Sequence, residues 1–452
     1  MGFSAASLHA VLEHWVPAEA TGLVVALSGG KDSSALLSAA AELQRNFRGL
    51  GVRAIHINHG LQPAAAKFST TCRTLCERLN VPLCIIEVEV DGSARSIEAA
   101  ARSARYAALA AHLRPGECLL TAHHREDQAE TLLLQALRGA GVKGMAAMPA
   151  CRVLGAGWHV RPMLEIAQHE LLQFSGLPQQ SHSHDQQFHS HDPMNEDLRF
   201  DRVYLRKAVW PLIEERWPGA GIALSRTASH MAEAQQLLDM MAADDVAKLR
   251  DGEALSLAGL RSLSASRRIN AVRWWLRQAG VEVPSTARLE EALRQMFDAQ
   301  SDQNPAIVWG NKALRRYRQR MFVTDAELPR FGDEQEWCAA PGASLELAPR
   351  LGSLSWIAAV GGLAPARLPA AVTVRRRGGG ESLRPARSAR TQTVQHLCQT
   401  WGVLPWMRDA LPLVFAGDAL IAVGDLWMDA DWCAAAGATG LNVAWNNAPA
   451  VT

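Results

Sequence analysis

The sequence predicts an α/β protein: a doubly wound parallel sheet, followed by a helical domain and a small α+β C-terminal domain. Three patterns carry this. Over the first 150 residues, short apolar β-branched runs alternate with Ala-rich helical stretches, as in βαβ units. From about Pro218 to Val323 the periodicity is helical and amphipathic. Beyond Pro341, strand-like runs return around a single helical segment. The domain limits expected are residues 1–217, 218–324 and 342–452, with acidic and Pro-containing sequence around Asp325–Pro341 as the last boundary.

In chain order, strands are expected at Leu23–Leu27, Val52–Ile57, Leu83–Val88 and Cys118–Thr121. Each is mainly apolar, as strands covered on both faces should be. Helices should follow at Ser33–Arg45, Lys67–Leu79, Ile97–Leu113 and Glu126–Leu137. The polar stretch QQSHSHDQQFHSHD reads as a loop. Its His182, His184, His189 and His191 lack a Cys partner or i,i+4 pairing, so no metal is assigned there. In the helical domain, RRINAVRWWLRQ and ALRRYRQR read as basic helix faces, with Trp274 and Trp275 as core rather than stacking platforms. Near the C-terminus, GSLSWIAAV and AAVTVRRR read as strands and TQTVQHLCQTWG as a helix; LPLVFAGDALIAVGDL reads as a hairpin turning at Gly417-Asp418.

A chain of 452 residues with 48% hydrophobic and 20% charged residues suits several soluble domains, not a disordered or membrane chain. The start lacks the basic and apolar regions of a secretory signal, and no apolar run approaches the roughly 20 residues of a membrane span. Eight scattered cysteines form no CxxC pair. Free thiols in a reducing cytoplasm follow. Net charge is only +1, but Arg261–Arg320 holds twelve Lys or Arg against five Asp or Glu, and Ala371–Ala410 seven against two.

The decisive segment is LVVALSGGKDSS, beginning at Leu23: a buried strand enters a glycine turn and then a helix. Glycines let the backbone approach an anion, and a helix start offers unpaired N–H groups at a positive dipole end. Ser28, Gly29, Gly30, Lys31, Asp32, Ser33 and Ser34 thus form a candidate phosphate cradle. A bland alternative is a tight turn with Asp32 or Ser33 capping the helix. GxxxxGK[ST] and GxGxxG are both absent, which excludes the usual kinase and dinucleotide loops. SGGKDS instead resembles the PP-loop of the ATP pyrophosphatases. That resemblance implies a Rossmann-like fold, a loop gripping the β- and γ-phosphates of ATP, attack at the α-phosphate, and Mg2+ held by Asp32.

Further segments sharpen the resemblance: HINHGL from His56, Glu98 with ARSARY from Ala101, TAHHREDQAET from Thr121, RGAG from Arg138, Arg161-Pro162, and DRVYLR from Asp201. RRRGG from Arg375, Trp406-Met407-Arg408, Pro412-Leu413 and Val423 continue it. In order and spacing these are similar to the tRNA(Ile)-lysidine synthase family. The resemblance implies that ATP adenylates the C2 oxygen of a wobble cytidine in the CAU-anticodon isoleucine tRNA. The ε-amine of free L-lysine then displaces AMP, and decoding changes from AUG to AUA. It also implies that Asp127 and Glu130 hold and deprotonate lysine, that Arg105 stabilises negative charge, and that His123 joins them. His59 is expected at the nucleotide or as a structural group. Asp127 and Glu130 are three apart at a helix start, hence on one face; ordinary helix-start acids would look the same. A solvated helix face would likewise account for Arg102 and Arg105.

Arg206, Arg315, Arg316, Arg375, Arg376 and Arg377 are the expected tRNA contacts, although a solvated charge run reads equally for the last three. A homodimer is left open. The chain departs from the family at His191–Asn195, where a tryptophan-acid-serine-asparagine run is usual, at Val203 for asparagine, and at Glu126 for Asp. Among rival readings, a PP-loop tRNA sulfurtransferase normally recruits paired cysteines. A glutamine-dependent amidating enzyme needs an ammonia source. A non-catalytic tRNA-binding protein has no need of an intact SGGKDS with Asp127 and Glu130. The reading requires Asp32 and Asp127 to share one cleft.

Overall fold

The computed structural model describes residues 3–44, 47–58, 65–88, 97–174, 197–300, 303–386 and 388–451. His59 and the His-rich stretch 182–191 lie outside them. The chain divides into two compact units, Met1–Leu238 and Asp239–Thr452.

In the first unit, strands β1 (Gly22–Ala26), β2 (Val52–Asn58), β3 (Leu83–Glu87), β4 (Glu117–Leu120), β5 (Cys151–Leu154) and β6 (Gly157–Val160) form one sheet in the order β3-β2-β1-β4-β6-β5. All neighbours are parallel except the β5–β6 hairpin. Helices α1 (Ala5–Trp15), α2 (Lys31–Leu43), α3 (Ala65–Leu79), α4 (Ile97–Ala111), α5 (Arg125–Leu137), α6 (Val142–Met145) and α7 (Gln168–Phe174) accompany it. β1 shows why the sheet is covered twice: Leu23 and Val25 enter one core with Leu36 and Cys72, while Val24 and Ala26 enter another with Ile55 and Leu109. From β1 the chain winds outward through β2 and β3, then returns to β4 on the other side. The carboxyl ends of β1 and β4 therefore flank the switch point where open α/β sheets bind ligands. α8 (Asp201–Tyr204), a π-helical turn (Leu205–Val209) and α9 (Trp210–Arg216) follow, and α10 (Ala220–Leu249) carries the chain into the second unit.

There, α11 (Leu257–Ser262), α12 (Ala265–Gln278) and α13 (Thr286–Asp298) bury Trp275, with Trp274 packed beside it. This helical region also holds a five-stranded antiparallel sheet of β7 (Arg250–Asp251), β8 (Ala254–Ser256), β9 (Ala306–Trp309), β10 (Lys312–Tyr317) and β11 (Arg320–Asp325). ALRRYRQR is accordingly a β-hairpin, not the helix expected. It turns at Arg318, whose φ is +56°.

The remainder is α+β, as expected. β12 (Gln335–Cys338), β15 (Ala371–Arg375), β18 (Leu413–Ala416), β19 (Ala419–Val423) and β20 (Trp427–Met428) share one sheet. β13 (Ser344–Glu346), β14 (Ser353–Val360) and β21 (Thr439–Asn446) form another, and β16 (Ser382–Leu383) with β17 (Gln392–Thr393) precedes α14 (Val394–Thr400). The β18–β19 hairpin turns at Gly417-Asp418, with Gly417 at φ +60°. Among the described residues no helix is long and apolar enough to cross a membrane.

Candidate active site

β1 delivers the chain to a loop that its own side chains hold open. Ser28 Oγ and Ser33 Oγ are 3.0 Å apart, and the Ser33 and Ser34 hydroxyls donate back to the Gly30 carbonyl at 3.0 and 2.9 Å. Gly29 must be glycine. Its φ is +82°, and a Cβ there would sit 3.2 Å from the Phe68 ring and 3.4 Å from Cys72 Sγ. α2 starts after Gly30 with no side-chain cap, and Lys31 is exposed at the helix start. Such an end favours an anion.

Ser28, Gly30, Asp32 and Ser33 line a 130 Å³ cavity together with Arg105 of α4 and His123 beyond β4. Four of the residues expected at the nucleotide, plus the expected Arg and His, are thus brought to one place. Burial works against the Arg105 charge and lowers its pKa, with Tyr106 partly offsetting it. The Asp32 carboxyl is pushed above its usual range, mainly by burial and further by Asp127, while His124 opposes this. Asp32 Oδ2 accepts a hydrogen bond from Gln168 Nε2 at 3.4 Å. Its Oδ1 is buried and has no hydrogen-bond partner among the described residues. A hard oxygen ligand left without a partner beside a phosphate cradle suits a divalent cation.

β4 ends at the second half of the site. The Thr121 hydroxyl bridges His123 Nδ1 and His159 Nε2, each at 2.8 Å. Burial, aided by Arg161, drives the two imidazoles down to about 3 and about 2, so both are neutral at physiological pH.

His124 is the N-cap of α5 and is nearly inaccessible. Its Nδ1 is 2.9 Å from Glu126 Oε2; its Nε2 is 3.4 Å from Asp127 Oδ2 and 3.8 Å from Asp32 Oδ2. Burial disfavours its proton, but the Glu126 hydrogen bond and the neighbouring carboxylates outweigh that and raise its pKa. One imidazole therefore lies within 4 Å of both the phosphate-side acid and Asp127, which puts Asp32 and Asp127 on the same side of the sheet, although the cavity at Asp32 is not lined by Asp127.

Asp127 and Glu130 share one face, as their spacing predicted, and that face is buried, but they are not vacant. Arg202 of α8 contacts Asp127 Oδ1 at 2.8 Å and Glu130 Oε2 at 2.9 Å. Arg206 in the π-helical turn contacts Asp127 Oδ1 at 2.9 Å and Glu130 Oε1 at 2.7 Å. Burial raises the Asp127 pKa, but His124 and the two arginines prevail and hold it at about 2. In this arrangement Asp127 is held ionised by its cationic neighbours, and the lysine-holding role expected of it rests on the resemblance. Arg206 was expected at tRNA, and its guanidinium is instead bound to the acid pair.

The remaining arginines separate. Arg316 is buried and donates to the Met296 and Ala299 carbonyls at 2.7 and 2.6 Å at the end of α13. Expected at the RNA, it here caps the helix end. Arg315 lies 5.7 Å over Trp406 and donates to the Thr324 hydroxyl at 3.0 Å. Arg375 stacks 3.8 Å over Phe415, Arg376 is exposed, and Arg377 is half-buried. Burial pushes the Cys72 and Cys118 thiols up to about 12, which keeps them protonated and poorly nucleophilic.

His124, Glu126 and Arg202 were quoted in the sequence motifs but given no role. The signals existed: His124 directly precedes the first acid of a helix, and Arg202 and Arg206 are four apart, matching acids three apart.

The chain matches a family model described as a PP-loop domain over residues 4–213, a TilS substrate binding domain over 255–322 and a TilS substrate C-terminal domain over 372–445. It is 39% identical to a curated tRNA(Ile)-lysidine synthase from Alkalilimnicola ehrlichii, covering 90% of each chain. With the enzyme of that name from Coxiella burnetii it is 38% identical over 88% of this chain and 87% of that one.

Proposed function

The chain belongs to the tRNA(Ile)-lysidine synthase family, and we propose that it joins free L-lysine to C2 of the wobble cytidine of the CAU-anticodon isoleucine tRNA, consuming ATP. The cytosine C2 oxygen attacks the α-phosphorus of ATP, forming a phosphate ester as the bond to pyrophosphate breaks. The lysine ε-amine then adds at C2, AMP leaves with the oxygen, and the amine gives up a proton. The product is lysidine, and the anticodon reads AUA in place of AUG. The substrates place this work in the cytoplasm. The chemistry falls to residues 1–217, and tRNA contacts to 218–324 and 342–452.

The residues divide the work by position. N–H groups of the loop from Ser28 to Ser34 hold the β- and γ-phosphates, and Arg105 balances charge near the α-phosphate. Asp32, with its unpartnered Oδ1, is the group that would hold Mg2+. Bound there, Mg2+ offsets phosphate charge. Neutral His123, its Nδ1 tied to Thr121, offers its other nitrogen to substrate without adding charge. Asp127 and Glu130 supply the negative field that attracts the lysine ammonium. Presenting that amine neutral at pH 7 costs about 4 kcal/mol from its reference pKa, which Glu130 and desolvation must offset.

The observation that carries this reading is the position of His124 between Asp32 and Asp127, which makes the phosphate and amine halves one site. The lack of a CxxC pair among the eight cysteines argues against the sulfur-transferring rival. The test is mass spectrometry of the tRNA after incubation with enzyme, ATP and lysine. A lysine-sized gain on one cytidine, absent with Asp127→Ala, is expected; unchanged tRNA overturns the reading.

A further inference from the structure

The acid pair of α5 poses a problem that the chain has solved for itself. Glu130 is 2% exposed and Asp127 8%. Two carboxylates that deep need compensating cations, since a buried charge without a partner is strongly destabilising. Arg202 and Arg206 each bridge the two acids, and His124 Nε2 stands 3.4 Å from Asp127, so in the free enzyme both carboxylates are already partnered. A lysine ammonium arriving there finds no unpaired carboxylate. Either it makes a cluster with one cation too many, or one guanidinium leaves.

The two arginines are not equivalent. The Arg202 side chain is 24% exposed and also reaches the Asp127 carbonyl, at 3.4 Å. Arg206 is 44% exposed and sits in the π-helical turn, a form often found at functional sites. Its Nε and Nη2 occupy both Glu130 oxygens, at 2.7 and 2.9 Å. The side chain with the freer path to solvent thus blocks the carboxylate with the least access.

We propose that Arg206 is a resident counter-ion standing where the lysine ε-ammonium binds, and that lysine enters by displacing it from Glu130. The idea rests on the lysine-ligating reading above and adds to it a positioning residue with a defined exchange. Charge is conserved: one cation leaves the acid pair as another arrives. Once Arg206 withdraws, Glu130 loses two donated hydrogen bonds, and the oxygens they occupied are open to the incoming amine. Until then the acids are neutralised and offer nothing to stray cations. An internal competitor also lowers apparent lysine affinity by the fraction of time the site is vacated.

The test measures lysine incorporation into tRNA against lysine concentration, at saturating ATP and tRNA, for the full chain and for Arg206→Met and Arg206→Lys. Removing the competitor in Arg206→Met should lower the KM for lysine about fivefold or more, as apparent affinity rises with the vacant fraction. The kcat should fall separately. Guanidinium chloride at millimolar concentration should compete with lysine in Arg206→Met and do so at least several times more weakly in the wild type. Arg206→Lys, which keeps the charge but not the fork, should fall between and serves if the methionine variant does not fold. A lysine KM that rises or stays put in folded variants, or guanidinium that does not compete, overturns the exchange while leaving the ligase reading intact. A wild-type enzyme that adds no lysine overturns the reading itself.

Discussion

Asp32 and Asp127 share a single imidazole: His124 Nε2 lies 3.8 Å from one carboxylate and 3.4 Å from the other. Glu126 holds the opposite ring nitrogen at 2.9 Å and itself accepts from the Gln168 backbone N–H at 3.0 Å. Replacing His124 with Gln preserves bulk and removes the imidazole whose protonated form these carboxylates favour, leaving them facing one another. The expected result is loss of lysidine formation by two orders of magnitude or more, with stability reduced by about 3 kcal/mol. Urea denaturation and single-turnover assays measure both. A His124→Gln enzyme that turns over normally would show that the two halves of the site do not depend on this link.

A second consequence concerns acid. His123 and His159 are held neutral, at about 3 and about 2, against 6.5 when exposed. Below pH 6.5 the unfolded chain takes up protons that the fold refuses. Their contribution is therefore intact above 6.5 and erodes as pH falls toward 3. Each such histidine steepens the loss by up to about 1.4 kcal/mol per pH unit. His159→Gln should flatten the stability profile between pH 6 and pH 4, read from urea midpoints. An unchanged slope would mean that the ring is protonated in the folded state.

The two loop glycines should respond differently. Gly29→Ala forces a side chain into φ +82° and onto the Phe68 ring, so the loop must shift. Gly30 has φ −85°, and a Cβ there meets only Ser28 Oγ, at 3.4 Å. Pyrophosphate release should drop at least tenfold for Gly29→Ala and much less for Gly30→Ala. Equal effects would locate the constraint in the phosphate contact rather than the backbone.

Much of this was legible before any coordinates. Four mainly apolar runs marked parallel strands because the central strands of that sheet are buried on both faces, and the glycine turn between β1 and α2 marked the cradle. What hid was the use of charge. A sequence shows that Asp127 and Glu130 share a helix face; it does not show that two arginines more than 70 positions later close on them, because that depends on where α8 packs. The basic run of β10 misled for a related reason. Its Arg315 and Arg316 point to opposite faces of a strand, and the composition of ALRRYRQR suits an exposed helix just as well.

Arg316 offers the sharpest test of that distinction between structural and RNA-facing charge. Its guanidinium satisfies two carbonyls at the C-terminal end of α13 and a third, from Arg318, at 2.9 Å. Each buried acceptor left without a donor costs about 1–3 kcal/mol. Arg316→Met should therefore destabilise the protein by several kcal/mol. A phosphate contact behaves otherwise: its loss leaves stability alone and lowers the dependence of log Kd on log salt by about one. The exposed Arg376, changed to Met, should show that second pattern in tRNA-binding titrations. If Arg316→Met instead weakens tRNA binding with a reduced salt slope and normal stability, the side chain leaves its cap to meet the RNA.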